Sequence, residues 1–298
     1  MNIKAWIGAF RLRTLPLALS SIFMGAFLAA EKLQFKMPVL LLSALTTIFL
    51  QVLSNLANDY GDSVHGADHA ERVGPARAVQ SGKITSAAMK KGIYVLIALS
   101  LIAGIGLLWV ALGSNLTLFF TFLGLGILSI VAAITYTAGK KPYGYAGLGD
   151  ISVLIFFGWV GVIGSYFLHT QSFYPSLILP ATSCGLFAVG VLNINNIRDI
   201  YSDQKVGKLS IPVRIGRQRA VYYHWGLLSI GFSCAIIYTL LNYKSPFQWL
   251  FLVTAILFLT NARAVNKFED PKLLDPYLKH MALSTFQFVI IFGAGLVI

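Results

Sequence analysis

Eleven acidic residues serve a chain of 298, and six of them collect at two places. The first reads Asn55-Leu56-Ala57-Asn58-Asp59-Tyr60-Gly61-Asp62 and runs on to Asp68 and Glu71; the second reads Asn195-Asn196-Ile197-Arg198-Asp199-Ile200-Tyr201-Ser202-Asp203. If the first segment is helical, Asn55, Asp59 and Asp62 share a stripe at i, i+4 and i+7, and Asn58 pairs with Asp62 at i, i+4. Gly61 and Gly66 then favour a turn that brings Asp68 back to the same point. In the second segment Asn195, Asp199 and Asp203 recur at i, i+4 and i+8 on one face. Carboxylates arranged this way repel one another unless cations lie between them. Oxygen-only donor sets suit hard divalent ions, and magnesium keeps several waters and completes its shell with substrate phosphates. The candidate metal ligands are therefore Asn58, Asp59, Asp62 and Asp68 on one side and Asn195, Asp199 and Asp203 on the other, with charge enough for about two Mg2+ ions.

Basic residues accompany both clusters: Arg72, Arg77 and Lys83 after the first, Arg198, Lys205, Lys208 and Arg214 around the second, Lys140 and Lys141 between them. Such groups clamp a diphosphate through charge-assisted hydrogen bonds. Each feature also has a plainer reading. One Asp pair at i, i+4 is often a solvated helix end, and Lys140-Lys141 is as well explained by membrane topology. Two Asn-led clusters with basic flanks, in a chain otherwise poor in acids, favour the chemical reading. His65, His69 and His169 read as ordinary polar residues, and Gly104, Gly106, Gly158, Gly161 and Gly164 as close helix-packing positions.

The elements that hold these residues are membrane helices. Only 11% of residues are charged and 57% are hydrophobic, against about 25% charged in soluble domains. A bilayer core takes roughly 20 apolar residues per helix, and the long unbroken runs lack the alternation of a transmembrane barrel. Nine spans are expected, near 14–30, 38–56, 91–111, 116–136, 149–168, 177–196, 220–241, 246–262 and 280–298. They leave no room for a soluble domain, so 1–298 reads as one all-α, polytopic helix bundle. Lys4, Arg11 and Arg13 ahead of the first run resemble a signal peptide, but eight further spans make that run a transmembrane helix.

All but Lys32, Lys36 and Lys244 of the 23 Lys and Arg residues fall at one end of the spans. The positive-inside rule then puts the N-terminus and both acidic clusters on the cytoplasmic side of an inner membrane and the C-terminus opposite. The net charge of +12 reports topology and contact with anionic lipid, and calls for no nucleic-acid partner. Cys184 and Cys234 lie inside spans, so neither a disulfide framework nor a cysteine metal site is expected. Transport by an aspartate relay is the rival from another class. It predicts acids near the bilayer midplane in broken helices, whereas these sit at helix ends with basic neighbours.

Asn58-x3-Asp62-x5-Asp68 and Asp199-x3-Asp203 resemble the two aspartate motifs of the UbiA-type intramembrane prenyltransferase superfamily. Their placement at the ends of the second and sixth spans matches that family's nine-helix plan, so the resemblance covers essentially the whole chain. Within it, the segments 55–62, 73–82, 136–150 and 195–199 look most like the branch acting on 1,4-dihydroxy-2-naphthoate. Arg77-Ala78 stands where the ubiquinone branch usually shows Arg-Pro, and Tyr136-x3-Lys140 resembles the family's middle motif, with Lys140 and Lys141 both open as its phosphate ligand. Homogentisate, 4-hydroxybenzoate, haem or a chlorin are the acceptors of rival branches. The resemblance implies magnesium-dependent transfer of a polyprenyl group from its diphosphate to the naphthoate ring, with loss of diphosphate and CO2. It implies catalytic roles for Asp62, Asp199, Lys140 and Arg77, and diphosphate binding by Arg77, Lys140, Lys141, Arg198, Lys205 and Arg214. Asn55, Tyr136 and Asp150 are then candidates for binding the acceptor.

Overall fold

A computed structural model describes residues 2–65 and 77–298. Among the described residues nine helices are long and apolar enough to cross a membrane, and there is no strand. They are α1 (Ile3–Glu31), α2 (Met37–Val64), α3 (Ser86–Leu112), α4 (Leu116–Thr135), α5 (Gly149–Thr170), α6 (Pro175–Arg198), α7 (Arg217–Leu241), α8 (Pro246–Lys267) and α9 (Pro271–Val297). The protein is a polytopic all-α membrane bundle. Each expected span coincides with one of these helices, but several helices run further at one face. α1 begins at Ile3 and not near 14, α2 ends at Val64 and not near 56, and α9 begins at Pro271 and not near 280. Hydropathy marks only the part that suits hydrocarbon. The turns beyond it, interrupted or flanked by charged residues, are held by contacts with other segments, which a sliding window does not see.

Local sequence sets the breaks. α1 is interrupted at Arg11, whose φ of 47° is left-handed, and restarts through the tight turn Leu12–Thr14 with Pro16 in the first turn. Proline is tolerated there because its missing N–H would have no helical partner. The side chain of Thr85 caps α3 by accepting from the Ala88 amide, and Asn115 does the same for α4 at Leu118.

Polar contacts at the helix ends fix the up-and-down order. At one face, Asn55 near the end of α2 donates to Phe10 O (2.9 Å) in α1, and Arg198 at the end of α6 reaches Asp275 in α9 (2.6 Å). At the other, Lys36 N donates to His169 Nδ1 (3.1 Å), Gln171 Nε2 to Ala111 O (2.9 Å), and Tyr238 Oη to buried Glu31 (3.0 Å), which also pairs with Lys244 (2.9 Å).

Interhelical packing divides the bundle into a dense side and a hollow side. Phe187 of α6, Phe232 and Tyr238 of α7, Phe251 and Phe258 of α8, and Phe288 and Phe292 of α9 form one aromatic core with ring centroids 4.4 to 6.4 Å apart. α5 is drawn against α6 where Gly158 faces Gly185: a Cβ on Gly158 would lie 2.7 Å from Ala181 O, and one on Gly185 3.0 Å from Gly158 Cα. A Cβ on Gly161 would strike Ser21 of α1 at 2.7 Å, so Gly158 and Gly161 are packing positions, as is Gly185. Gly106 has open space, while Gly104 and Gly164 meet only Thr46 and Phe122 near 4 Å, so the packing expectation does not hold at those three.

On the hollow side, α1 to α5, with Leu192 of α6, line a partly open cavity of about 720 Å³. It runs from Asn58, Tyr136 and Tyr143 at the aspartate face past Ser100, Leu101 and Gly126 to Ser43, Phe167 and Leu168 near the other. From Asn58 to Ser43 along α2 is about 22 Å at 1.5 Å per helical residue. Leu154–Ile163 of α5, on its wall, is wound as a wider π-helix. There the Phe157 carbonyl accepts a hydrogen bond from the Ser21 hydroxyl of α1.

Candidate active site

The first acidic cluster rides on the last turns of α2, which continues as helix through Val64, as the i, i+4, i+7 pattern required. Its members nevertheless face different partners. Asp59 accepts the backbone amides of Ala78 (3.0 Å) and Val79 (3.1 Å), so both its oxygens clamp the segment leading to α3. Its expected place among the metal ligands is not what the geometry favours. Asp62 is different: Tyr145 Oη donates to its Oδ1 (2.8 Å), and the Arg77 guanidinium pairs with its Oδ2. Arg77 also donates to Asn58 O (2.8 Å), and the Thr137 hydroxyl lies 3.0 Å from Asn58 Oδ1 and 3.2 Å from Ala57 O. Gly61 lets the segment after α4 approach this closely, because a Cβ there would meet the Thr137 carbonyl at 2.6 Å. Asp68 lies outside the described residues.

The second cluster keeps its register across the end of α6, since Asp199 N bonds Asn195 O (3.0 Å) and Asp203 N bonds Asp199 O (2.8 Å). Arg198, buried among acids, grips Asp199 in bidentate fashion: Nε donates to Oδ1 (2.8 Å) and one terminal nitrogen to Oδ2 (2.7 Å). The same nitrogen reaches Asn195 Oδ1 (2.9 Å). This guanidinium therefore holds carboxylates, where the sequence suggested a phosphate ligand. Asp203 is paired with Lys208 (2.9 Å). Burial pushes the Asp203 carboxyl above its usual range while Lys208 pulls the other way. Burial disfavours the Lys208 charge, yet Asp203, Tyr136 and Asp62 outweigh it and carry the ammonium up to about 12.

The connector 137–148, between α4 and α5, joins the two clusters. The Tyr145 hydroxyl is on Asp62, and its carbonyl accepts Leu209 N (2.9 Å) from the segment after Asp203. Arg214 ties the same two connectors together by donating to Ala146 O (2.6 Å) and Leu209 O (2.9 Å), a backbone role in place of the expected phosphate contact. Burial raises the Tyr145 phenol, and the Asp62 and Asp203 carboxylates raise it further. Tyr145 stays protonated and able to donate. Tyr136 lines the cavity beneath, its phenol pushed by burial up to about 12.

Among the acceptor candidates, Asn55 spends its amide on Phe10 O and Thr14 Oγ1, and Asp150 accepts from Tyr223 Oη (2.9 Å). Lys140, Lys141 and Lys205 are exposed. Sequence reasoning left Tyr145 out of the site and did not rank Lys208 above its neighbours. Tyr145 lies inside the quoted 136–150 segment, but nothing in its spacing announces a bond to Asp62. Among the described residues no three His, Cys, Asp or Glu side chains form a ready metal cage. Asp62, Asp199 and Asp203 are nonetheless buried, hard-oxygen donors, each now balanced by a cation of the chain. That donor chemistry fits magnesium with phosphate better than a closed structural site.

Fold and site together define an intramembrane bundle that sets paired acidic and basic groups over a long apolar chamber. A model of the UbiA prenyltransferase family matches residues 18–285, and the chain belongs to that family. It is 45% identical over 293 residues to the 1,4-dihydroxy-2-naphthoate octaprenyltransferase of Escherichia coli (strain K12), covering 98% of this chain and 95% of that one. It is 46% identical over 299 residues to the Haemophilus influenzae protein of the same name, covering 100% and 97%. A solved UbiA homolog from Archaeoglobus fulgidus, bound to DMAPP and Mg2+, shares the fold at a TM-score of 0.58 and 17% identity, over 96% of this chain and 98% of that one.

Proposed function

We propose that this chain, as a single domain over 1–298, transfers a polyprenyl group from polyprenyl diphosphate to 1,4-dihydroxy-2-naphthoate. Diphosphate and CO2 leave, and demethylmenaquinol forms for menaquinone synthesis. Near-full-length identity to enzymes named for this reaction supports the acceptor. The observation that carries the mechanism is the connector 137–148, which ties the Asp62 and Asp203 regions to one mouth above the chamber.

In this reading Asp62, Asp199 and Asp203, with Asn58 and Asp68, hold two Mg2+ ions, as suits a family with a member solved in the presence of Mg2+. Magnesium, when bound, supplies positive charge to the oxygens of the departing diphosphate. Arg77 and Lys208, which now neutralise Asp62 and Asp203, stand where they can turn to the phosphate oxygens as charge builds there. Lys140, Lys141 and Lys205 add charge at the rim. Tyr145 orients the Asp62 carboxylate. The apolar chamber takes the prenyl tail and keeps water from the allylic cation, and Tyr136, on its wall, and Asp150, held by Tyr223, are assigned to orient the ring. The bond from the allylic carbon to the diphosphate oxygen breaks, and a carbon–carbon bond to the ring replaces it.

The mouth is assigned to the cytoplasmic side of the inner membrane, with the N-terminus, and the C-terminus to the opposite side. The test uses purified protein in lipid with one polyprenyl diphosphate and Mg2+, offering dihydroxynaphthoate, 4-hydroxybenzoate or homogentisate. Prenylation and CO2 release with the naphthoate alone are expected. Preference for another acceptor would overturn the assignment.

A further inference from the structure

Asp275 lies in the first turns of α9, a region expected from the sequence to be a connector, and it belongs to no part of the site described so far. Its Oδ1 accepts from the remaining terminal nitrogen of Arg198 at 2.6 Å, and its Oδ2 from Arg13 of α1 at 3.3 Å. Charges thus alternate from the surface inward: Arg13, Asp275, Arg198, Asp199. Arg13 and Asp275 are partly exposed, at 37% and 29% of their side chains, while Arg198 and Asp199 are sealed at 1% and 4%.

This arrangement poses a physical problem for metal binding. A bidentate guanidinium bonds both oxygens of Asp199 and neutralises its charge, so a divalent ion approaching that carboxylate competes with it. A buried guanidinium left without an anion is strongly unfavourable. Asn195 offers only a neutral oxygen. Asp275 offers a full charge already in contact with the same group.

We infer that Asp275 is a positioning residue for the metal site, acting through Arg198: it is the second anion onto which Arg198 leans when Asp199 turns to a divalent cation. The inference rests on the reading of Asp199 as a metal ligand. Arg13 opposes it by drawing on the same carboxylate from outside.

Mn2+ binding to the full-length protein in nanodiscs, followed by the EPR signal of the free ion with a non-reacting prenyl thiodiphosphate present, tests this without turnover. Asp275→Asn is expected to weaken Mn2+ binding by about 10- to 100-fold, the usual cost of removing an outer support of a metal ligand. Asp275→Glu should restore it to within about threefold, because the charge and the acceptor are kept. In an Arg198→Gln background the same Asp275→Asn change should cost less than about twofold, since residues acting in series do not add. Parental affinity in Asp275→Asn, or losses that multiply in the double variant, would overturn the inference. Should Asp275→Asn not purify folded, Arg13→Gln decides: tighter Mn2+ binding supports the proposal, and unchanged or weaker binding refutes it. Asp199→Ala separates the two levels. If it leaves Mn2+ binding intact, the metal-ligand reading itself fails; if it abolishes binding while Asp275→Asn does not, only the role of Asp275 falls.

Discussion

Between α6, α7, α8 and α9 aromatic side chains fill the space from one helix to the next; between α2, α3, α4 and α5 the same space is left open. In Ile178–Arg198 of α6 fourteen of twenty-one residues are buried, whereas in the twenty residues of α4 only Ile130 is. Composition does not distinguish the two sides, for both are built from Leu, Phe, Ile and Gly. What differs is where the small residues point. Gly158 and Gly185 face each other and let backbones touch, while Gly104 and Gly126 line the chamber and leave room. The dense side fixes Asp199 and Asp203 on a rigid frame, and the hollow side carries Asn58 and Asp62 over the space a tail would occupy.

Substitutions on the two sides should therefore fail in different ways. At the mouth, Asp62→Ala is expected to lower prenyl transfer by at least about 10³-fold. The melting temperature followed by tryptophan fluorescence should also fall, because the change removes one anion from buried Arg77, and full turnover would remove Asp62 from the site. In the dense core, Phe187→Ala should cost about 3–5 kcal/mol of stability in detergent unfolding. A loss of activity without a loss of stability at Phe187 would blur the division. Tyr145→Phe, which deletes one hydrogen bond to the Asp62 carboxylate, should reduce kcat/KM by about tenfold, in keeping with about 1.5 kcal/mol for a bond to a charged group. Gly126→Leu, intruding on the chamber wall, should raise KM for a long prenyl diphosphate by about tenfold while sparing dimethylallyl diphosphate, because overpacking penalises only what fills the space. Equal effects on both donors would place the tail elsewhere. The smallest change is Gly106→Ala, where a Cβ meets nothing; it should leave turnover alone and alter stability by no more than about 1 kcal/mol.

The spans, their number and the two acidic segments were legible because each depends on local pattern: hydropathy for the helices, a four-residue recurrence for the acids. Helix ends were not: Ile3–Phe10 is apolar but is cut off from the main run by Arg11 and Arg13, and the turns after Pro271 carry Lys272, Asp275 and Lys279 and read as connector. Function of individual charges was less legible still. Asp59 and Asp62 are three residues apart on one helix, yet one clamps the Ala78 and Val79 amides and the other receives Tyr145. Nothing in their spacing separates them, because the partners come from distant segments. Arg198 shows the same limit from the cationic side: a basic residue beside an aspartate cluster reads as a phosphate ligand, and only its contact with Asp275 across 77 positions reveals a different role.

α4 leans on α2 and α3 and reaches α5 through the stacked rings of Phe122 and Phe167 near one end. Acyl chains must then set its tilt as much as protein does, since a helix with so little buried surface adjusts readily to hydrophobic thickness. The enzyme should feel the membrane as a mechanical load: reconstitution in thinner or thicker phosphatidylcholine will change turnover far more than it changes the melting of the aromatic side.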